Sequence, residues 1–249
     1  MDEEDHRLGR FLGSVQEGGG TSLRPPSVVL SNALGTTAAM WDAQLSALSS
    51  FDVVRYEHRG RPDVGALAGD VLTLVDGLGV DRFSFCGLSL GGMVGMQLAV
   101  EAPGRIDRLV LACTSARFGE PDEWARRAVA VRVEGMKSVA HEALDKWFTP
   151  AFRNRRPFLE MQLRTPPEDY ALGLEAIGGF DLRSRLGEIG APTLVVAGAE
   201  DTATSPADAA FLAERIPGAR LVVLPAAAHL ANVEQAAAFN AALLEHLGS

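Results

Sequence analysis

The sequence predicts an α/β fold in which helices cover both faces of a mostly parallel β-sheet. Three observations predict it: short runs of β-branched and aromatic residues, longer helical patterns between these runs, and a length of 249 residues. Buried parallel strands appear in a sequence as short apolar runs, and their alternation with helices is typical of a parallel sheet. A chain of this length can form one large domain with a sizeable core.

Six apolar runs are candidate strands, and the stretches between them supply the helices. The strands are predicted at 27–33, 52–58, 82–87, 108–113, 192–198 and 220–225, and helices at 66–78, 91–101, 206–215 and 233–247. A hairpin around "GRFLGSVQEGG" is expected to add an antiparallel edge to the sheet. This order of elements, strand then helix, requires crossovers that place helices on both faces.

The alternation is interrupted once, between Phe118 and Arg185, where only helical patterns occur. We interpret this block as a helical cap inserted after the sixth strand. It would cover the carboxyl ends of the strands, where open α/β sheets bind ligands. The predicted domains are a core of residues 1–116 and 187–249 and a cap, or lid, of residues 117–186.

Composition and charge exclude several classes of function. A formal net charge of −9 argues against binding to nucleic acids or to membrane surfaces. The acidic start "MDEEDHRLGR" lacks the features of a signal peptide, and no apolar run approaches about 18 residues. Cys86 and Cys113 lie in apolar segments and are expected to be buried thiols. We therefore expect a cytoplasmic protein with a small-molecule substrate, while the oligomeric state is not predicted.

A serine between closely spaced glycines is the strongest functional signal. Gly87-Leu88-Ser89-Leu90-Gly91 matches the pattern G-x-S-x-G between a predicted strand and a predicted helix. In this motif a sharp strand-to-helix turn exposes a nucleophilic serine, and the flanking glycines leave room for it. Ser89 is therefore the candidate nucleophile, although the five-residue pattern alone could mark an ordinary loop.

A serine nucleophile needs a base and a carboxylate that orients the base. Asp201 directly follows the strand at 192–198, and His229 follows the last strand, so the order Ser89, Asp201, His229 fits the fold. Glu200 is the competing acid. The other histidines (His6, His58, His141 and His246) occupy positions that fit less well. The expected oxyanion donors are the main-chain N–H groups of Leu90 and Ala33, with Leu34 as the alternative to Ala33.

With these residues in place, the sequence resembles the α/β-hydrolase superfamily and, within it, the 3-oxoadipate enol-lactonases of the β-ketoadipate pathway. The resemblance covers most of the chain and is carried by the following segments: "VVLSNALGTTAAMWDAQL", "FSFCGLSLGGMVGMQLA", "LVLACTSA", "KWFTPAFR", "TPPEDYA" and "AAHLANVEQ". The sequence departs from that group in two places. The loop after Gly60 is shortened, and so is the cap before "RTPPEDYA".

The resemblance implies hydrolysis of an enol-lactone ring by Ser89, His229 and Asp201, with no cofactor and no metal. A different serine esterase or a cofactor-free perhydrolase would share this fold and nucleophile. A ligand-binding protein on the same scaffold is a third reading, which the intact triad disfavours.

The substrate implied by this resemblance is an anion, so a cation is expected near the pocket. Residues 117–164 contain ten Lys and Arg against seven Asp and Glu, although such an excess can also be a solvated face. Planar guanidinium groups suit carboxylates, so the cap arginines Arg132 and then Arg153 are the predicted carboxylate ligands. The predicted substrate-binding set is completed by Leu34, Trp124 and Trp147.

Overall fold

The computed structural model describes residues 10–11, 25–58 and 60–248, and these form one seven-stranded sheet. The strands are β1 (Arg10–Phe11), β2 (Ser27–Ser31), β3 (Asp52–Tyr56), β4 (Phe83–Leu88), β5 (Ile106–Ala112), β6 (Thr193–Gly198) and β7 (Arg220–Leu224). Their order across the sheet is β1-β3-β2-β4-β5-β6-β7. Only β1 pairs antiparallel, and the other six strands of the described residues are parallel. The predicted fold class is therefore confirmed.

Ten α-helices accompany this sheet in the described residues. They are α1 (Asp42–Leu45), α2 (Val64–Gly77), α3 (Leu90–Glu101), α4 (Pro121–Glu134), α5 (Lys137–Trp147), α6 (Arg156–Arg164), α7 (Pro167–Gly179), α8 (Pro206–Arg215), α9 (Ala231–Glu234) and α10 (Ala236–Gly248). The predicted strands and helices match these elements with shifts of a few residues at their ends.

Alternate residues along each strand pack on opposite faces of the sheet, as the period of two in a strand requires. In β5, Leu109 and Leu111 join the apolar cluster that includes residues of α2, α3 and α8. Val110 and Ala112 join the cluster that includes residues of α10 on the other face. The two clusters pack against opposite faces of β4 to β7. The carboxyl ends of these strands form the edge of the sheet where the candidate site lies.

The helices α4 to α7 follow β5, which is the fifth described strand, and precede β6. The chain enters and leaves this helical block side by side, because Arg117 and Asp181 form an antiparallel bridge and the Leu182 N–H donates to the Ala116 carbonyl at 2.9 Å. Residues of the block share the apolar clusters of the core. The division into a core and a cap at these bounds stays a prediction.

The first strand lies where the antiparallel edge was expected. Arg10 and Phe11 pair with Val54 and Val53 of β3. The remaining residues of the predicted hairpin lie outside the described residues. Among the helices of the described residues, none has the length and apolar character needed to cross a bilayer.

Candidate active site

Ser89 lies at the sharp turn between β4 and α3, with φ 59° and ψ −117°. A non-glycine residue in this region carries about 1–3 kcal/mol of backbone strain, which the surrounding structure must offset. A Cβ atom on Gly87 would lie 2.1 Å from the Gly91 carbonyl oxygen, and one on Gly91 would lie 2.2 Å from the Ser31 carbonyl oxygen. Both positions therefore require glycine. The turn is anchored by the Ser89 N–H, which donates to the Ala112 carbonyl at 2.9 Å.

Asp201 and His229 lie in direct contact beyond the ends of β6 and β7. The His229 Nδ1–H donates to Asp201 Oδ2 at 2.8 Å, with the tautomer assigned from this bond, and both side chains are buried. Glu200 is exposed and makes its contact through the main chain, where its N–H donates to the Ala227 carbonyl. Of the two candidate acids, the structure places Asp201 against the histidine.

The Asp201 carboxylate accepts hydrogen bonds on both oxygens. Oδ1 accepts from the N–H groups of Ala203 (2.8 Å) and Thr204 (3.0 Å), while Oδ2 accepts from the Thr204 hydroxyl (2.9 Å) and from His229. Burial alone would raise the pKa of Asp201, but the nearby His229 and the hydrogen bonds outweigh burial and lower this pKa. The carboxylate is therefore held ionised and in one orientation.

Hydrogen bonds on both sides of His229 fix the loop that carries it. The Ala228 N–H donates to Glu234 Oε2 at 2.7 Å, and the Leu230 N–H donates to the Trp147 carbonyl at 2.9 Å. Glu234 Oε1 in turn accepts from the N–H (3.0 Å) and the hydroxyl (2.8 Å) of Thr149. The position of the histidine is thereby tied to the segment at the end of α5.

Ser89 and His229 lie at the same edge of the sheet, because β4 and β7 are parallel and each residue follows the carboxyl end of its strand. The hydrogen bonds among the described residues do not join the Ser89 hydroxyl to His229. Catalytic hydrogen bonds are often long before substrate binds, and a serine hydroxyl can rotate to form them.

The loop after β2 lies beside this turn and is held by Asn32. The Asn32 amide N–H₂ donates to the carbonyls of Ala33 (3.0 Å) and Thr36 (2.6 Å). The Ala33 N–H is directed at Met40 Sδ, 3.3 Å away in the interior. The role of Ala33 as an oxyanion donor stays a prediction, with Leu34 as the alternative. Ala33, Leu34 and Leu90 all line a small cavity beside the turn at Ser89, which we call the elbow.

His58 supports the same loop from the end of β3. Its Nε2–H donates to the Asn32 carbonyl at 2.7 Å, while its buried Nδ1 has no hydrogen-bond partner in the described residues. Burial lowers the pKa of His58 to about 4, against a smaller opposing effect of the Asn32 bond. The imidazole is therefore neutral near pH 7, and its role is structural support of the loop.

The small cavity beside the elbow lies between the loop after β2 and the helical block. Its lining consists of residues 32–36, His58, Arg61, Leu67, Leu90, Thr165, Asp169 and Gly173. Of the five predicted substrate-binding residues, this set includes Leu34. Trp124 is buried within the helical block, where its indole N–H donates to the Phe118 carbonyl. Trp147 is buried in the other apolar cluster and contacts the His229 loop through its carbonyl. Neither tryptophan lines the cavity.

In the structure, Arg132, the predicted ligand of a substrate carboxylate, is paired with two glutamates of α7. Its Nε and Nη2 donate to the two oxygens of Glu168, each at 2.8 Å, and Nη1 donates to Glu175 at 2.5 Å. The guanidinium therefore bridges α4 and α7 on the surface of the helical block, with its charge already matched. Arg153 is exposed on the segment between α5 and α6 and does not line the cavity.

Several residues that support the site have no counterpart in the sequence prediction. They are Thr204, Thr149, Glu234 and His58. Glu234 lies in "AAHLANVEQ" and Thr204 lies three residues after Asp201, and spacing of this kind within a turn was an available signal. Cys86 and Cys113 are buried free thiols, as predicted. Within the described part of the chain, no three His, Cys, Asp or Glu side chains cluster as metal ligands would.

Comparisons with known proteins agree with this geometry. The model of the family described as "Alpha/beta hydrolase family" matches residues 28–242. The chain is 37% identical to "3-oxoadipate enol-lactonase 2" of Acinetobacter baylyi, over 88% of this chain and 87% of the relative. It is 33% identical to "Putative carbamate hydrolase RutD" of Agrobacterium fabrum, over 92% and 95% of the two chains.

Among solved structures, the fold is similar to that of the enol-lactonase from Burkholderia xenovorans LB400. The TM-score is 0.88 and the identity is 41%, over 93% of this chain and 94% of the other. The resemblance inferred from sequence segments is thereby confirmed over nearly the whole chain.

Proposed function

The chain belongs to the alpha/beta hydrolase family, and on this premise we propose that it hydrolyses the ring ester of an enol-lactone, as 3-oxoadipate enol-lactonases do. The observation that carries the proposal is the Asp201–His229 pair beyond the strand ends that also present Ser89, in a chain 37% and 41% identical to two enol-lactonases. The substrate would be a small anionic lactone handled in the cytoplasm.

The first step is attack of Ser89 Oγ on the lactone carbonyl carbon. His229 Nε2 takes the serine proton, while Asp201 holds Nδ1–H and stabilises the imidazolium that forms. The strained turn presents the hydroxyl at the amino end of α3, so attack requires little movement of the backbone.

The negative charge that develops on the carbonyl oxygen needs two donors. We assign them to the N–H groups of Leu90 and Leu34. The assignment of Leu34 replaces that of Ala33, because the Ala33 N–H is directed at Met40 Sδ. Loss of one such donor typically reduces kcat by about 10²–10³.

Collapse of the tetrahedral intermediate breaks the ring C–O bond and releases an enolate oxygen. The His229 imidazolium gives its proton to this leaving oxygen, which remains tethered to the acyl group because the ester was cyclic. A water molecule deprotonated by His229 then attacks the acyl-serine, and the product leaves as the open-chain acid. Collapse of this second intermediate breaks the bond to Ser89 Oγ, to which His229 returns the proton, so the same histidine serves in turn as base, acid, base and acid.

A panel of substrates tests this function against the alternative of a different esterase or a perhydrolase. We expect kcat/KM to be highest for 3-oxoadipate enol-lactone and lower for saturated lactones and p-nitrophenyl acetate. Ser89→Ala is the control for every substrate. Turnover of short esters, or peroxide-dependent halogenation, without enol-lactone hydrolysis would select the alternative.

A further inference from the structure

Thr204 occupies a buried position, 1% exposed, at the end of the turn that begins with Asp201. Its hydroxyl donates to Asp201 Oδ2 at 2.9 Å, the oxygen that also accepts from His229 Nδ1 at 2.8 Å. The Thr204 oxygen lies 3.3 Å from that same Nδ1. The hydroxyl therefore contacts both members of the acid–base pair at the atoms where they meet.

We propose that Thr204 is a positioning residue for hydrolysis, acting through the Asp201 carboxylate on the orientation and proton affinity of His229. This inference rests on the proposed function, since it assigns Asp201 and His229 their catalytic roles. The Thr204 hydroxyl touches neither the substrate nor the reacting serine.

Closing of the turn does not require the hydroxyl. Main-chain N–H groups of Ala203 and Thr204 already bind Asp201 Oδ1, at 2.8 and 3.0 Å, and any residue but proline at position 204 would retain its own N–H. What the hydroxyl adds is a second donor on Oδ2. With both oxygens held by the turn, the carboxylate cannot rotate about its Cβ–Cγ bond when the imidazole moves during turnover.

The hydroxyl also has a defined electrostatic effect. Its O–H dipole places positive charge on Oδ2 and so reduces the negative charge that the carboxylate presents to the imidazolium. Its removal would favour the protonated histidine and move the acidic limb of the pH–rate profile to higher pH. Among the described residues, the Cys113 thiol at the end of β5 also lies beside Asp201, and burial raises its pKa and keeps it neutral. Glu200 is exposed, and Glu234 reaches the loop through main-chain N–H groups.

The test compares Thr204→Val, which keeps the shape without the hydroxyl, with Thr204→Ser, which keeps the hydroxyl. For Thr204→Val we expect kcat for the enol-lactone to fall about tenfold, equivalent to about 1.4 kcal/mol of activation free energy, with KM nearly unchanged. The acidic limb of kcat/KM should move up by about half a pH unit. Thr204→Ser should restore both kcat and the position of the limb.

A wild-type pH profile and wild-type kcat in a folded Thr204→Val protein would overturn the inference. Equal losses in the Val and Ser variants, without movement of the acidic limb, would also overturn it and assign Thr204 a packing role. If Thr204→Val is poorly folded, the pH profile of Thr204→Ser against that of Thr204→Ala decides the same question. Failure of the proposed function is distinguishable, because the wild type would then not hydrolyse the lactone, or Ser89→Ala would hydrolyse it at the wild-type rate.

Discussion

Acid should destabilise this protein through the buried His58. The imidazole is neutral, because burial lowers its pKa to about 4 from the ordinary value of 6.5. Between these two values the unfolded chain binds a proton that the folded protein does not. Above about pH 6.5, His58 is neutral in both states and costs no stability. As the pH falls from 6.5 toward 4, the unfolded state gains a proton that the folded state does not, so the free energy of unfolding should fall. Linkage gives a loss of about 2 kcal/mol between pH 7 and pH 5.

The control is His58→Gln, whose amide can still donate toward the Asn32 carbonyl but does not titrate. His246 has a lowered pKa of the same sign, owing to burial, and remains in both proteins. Urea unfolding followed by circular dichroism at pH 7, 6 and 5 measures the difference between wild type and variant. The free energy of unfolding of the wild type should fall by about 2 kcal/mol more than that of the variant from pH 7 to pH 5. Parallel pH dependences would refute the assignment of a neutral, buried imidazole.

Three further predictions concern the site and its supports. Asp201→Asn should lower kcat for the enol-lactone by about 10³–10⁴, because the amide favours the wrong histidine tautomer, while Glu200→Gln should change kcat less than threefold or so; the reverse ranking would make Glu200 the acid. Arg132→Met should lower thermal stability slightly and leave kcat/KM for the anionic lactone near wild type, since its charge is matched by glutamates; a loss specific to the anionic substrate would restore the original carboxylate assignment. Glu234→Gln should reduce kcat by about tenfold, because the amide has only one acceptor oxygen and cannot accept from both Thr149 and the Ala228 N–H of the His229 loop. Unchanged steady-state kinetics would show that this link does not position the histidine.

The residues that follow strand ends were predictable because sheet geometry determines where they go. Parallel strands present their carboxyl ends at one edge, so a serine, an aspartate and a histidine after β4, β6 and β7 must face the same region. The G-x-S-x-G spacing was equally informative, since the close approaches at Gly87 and Gly91 leave space for no other side chain.

The partners of Arg132 were not predictable, because an excess of positive charge in the cap does not say which carboxylates a side chain contacts. The glutamates that hold Arg132 lie 36 and 43 residues later in the chain and meet it only when α4 packs on α7. The choice between Ala33 and Leu34 as oxyanion donor could not be made from the sequence for a different reason. Neighbouring N–H groups in a loop point in different directions, and here the sulfur of Met40 accepts from one of them.

The most direct test of the account is kcat/KM for 3-oxoadipate enol-lactone, measured for the wild type and for Ser89→Ala at neutral pH. Loss of lactone absorbance gives the rate, and circular dichroism checks that the variant is folded. The account predicts rapid hydrolysis by the wild type and a loss of at least about 10³ in Ser89→Ala. Hydrolysis by Ser89→Ala at a comparable rate, or none by the wild type, would contradict it.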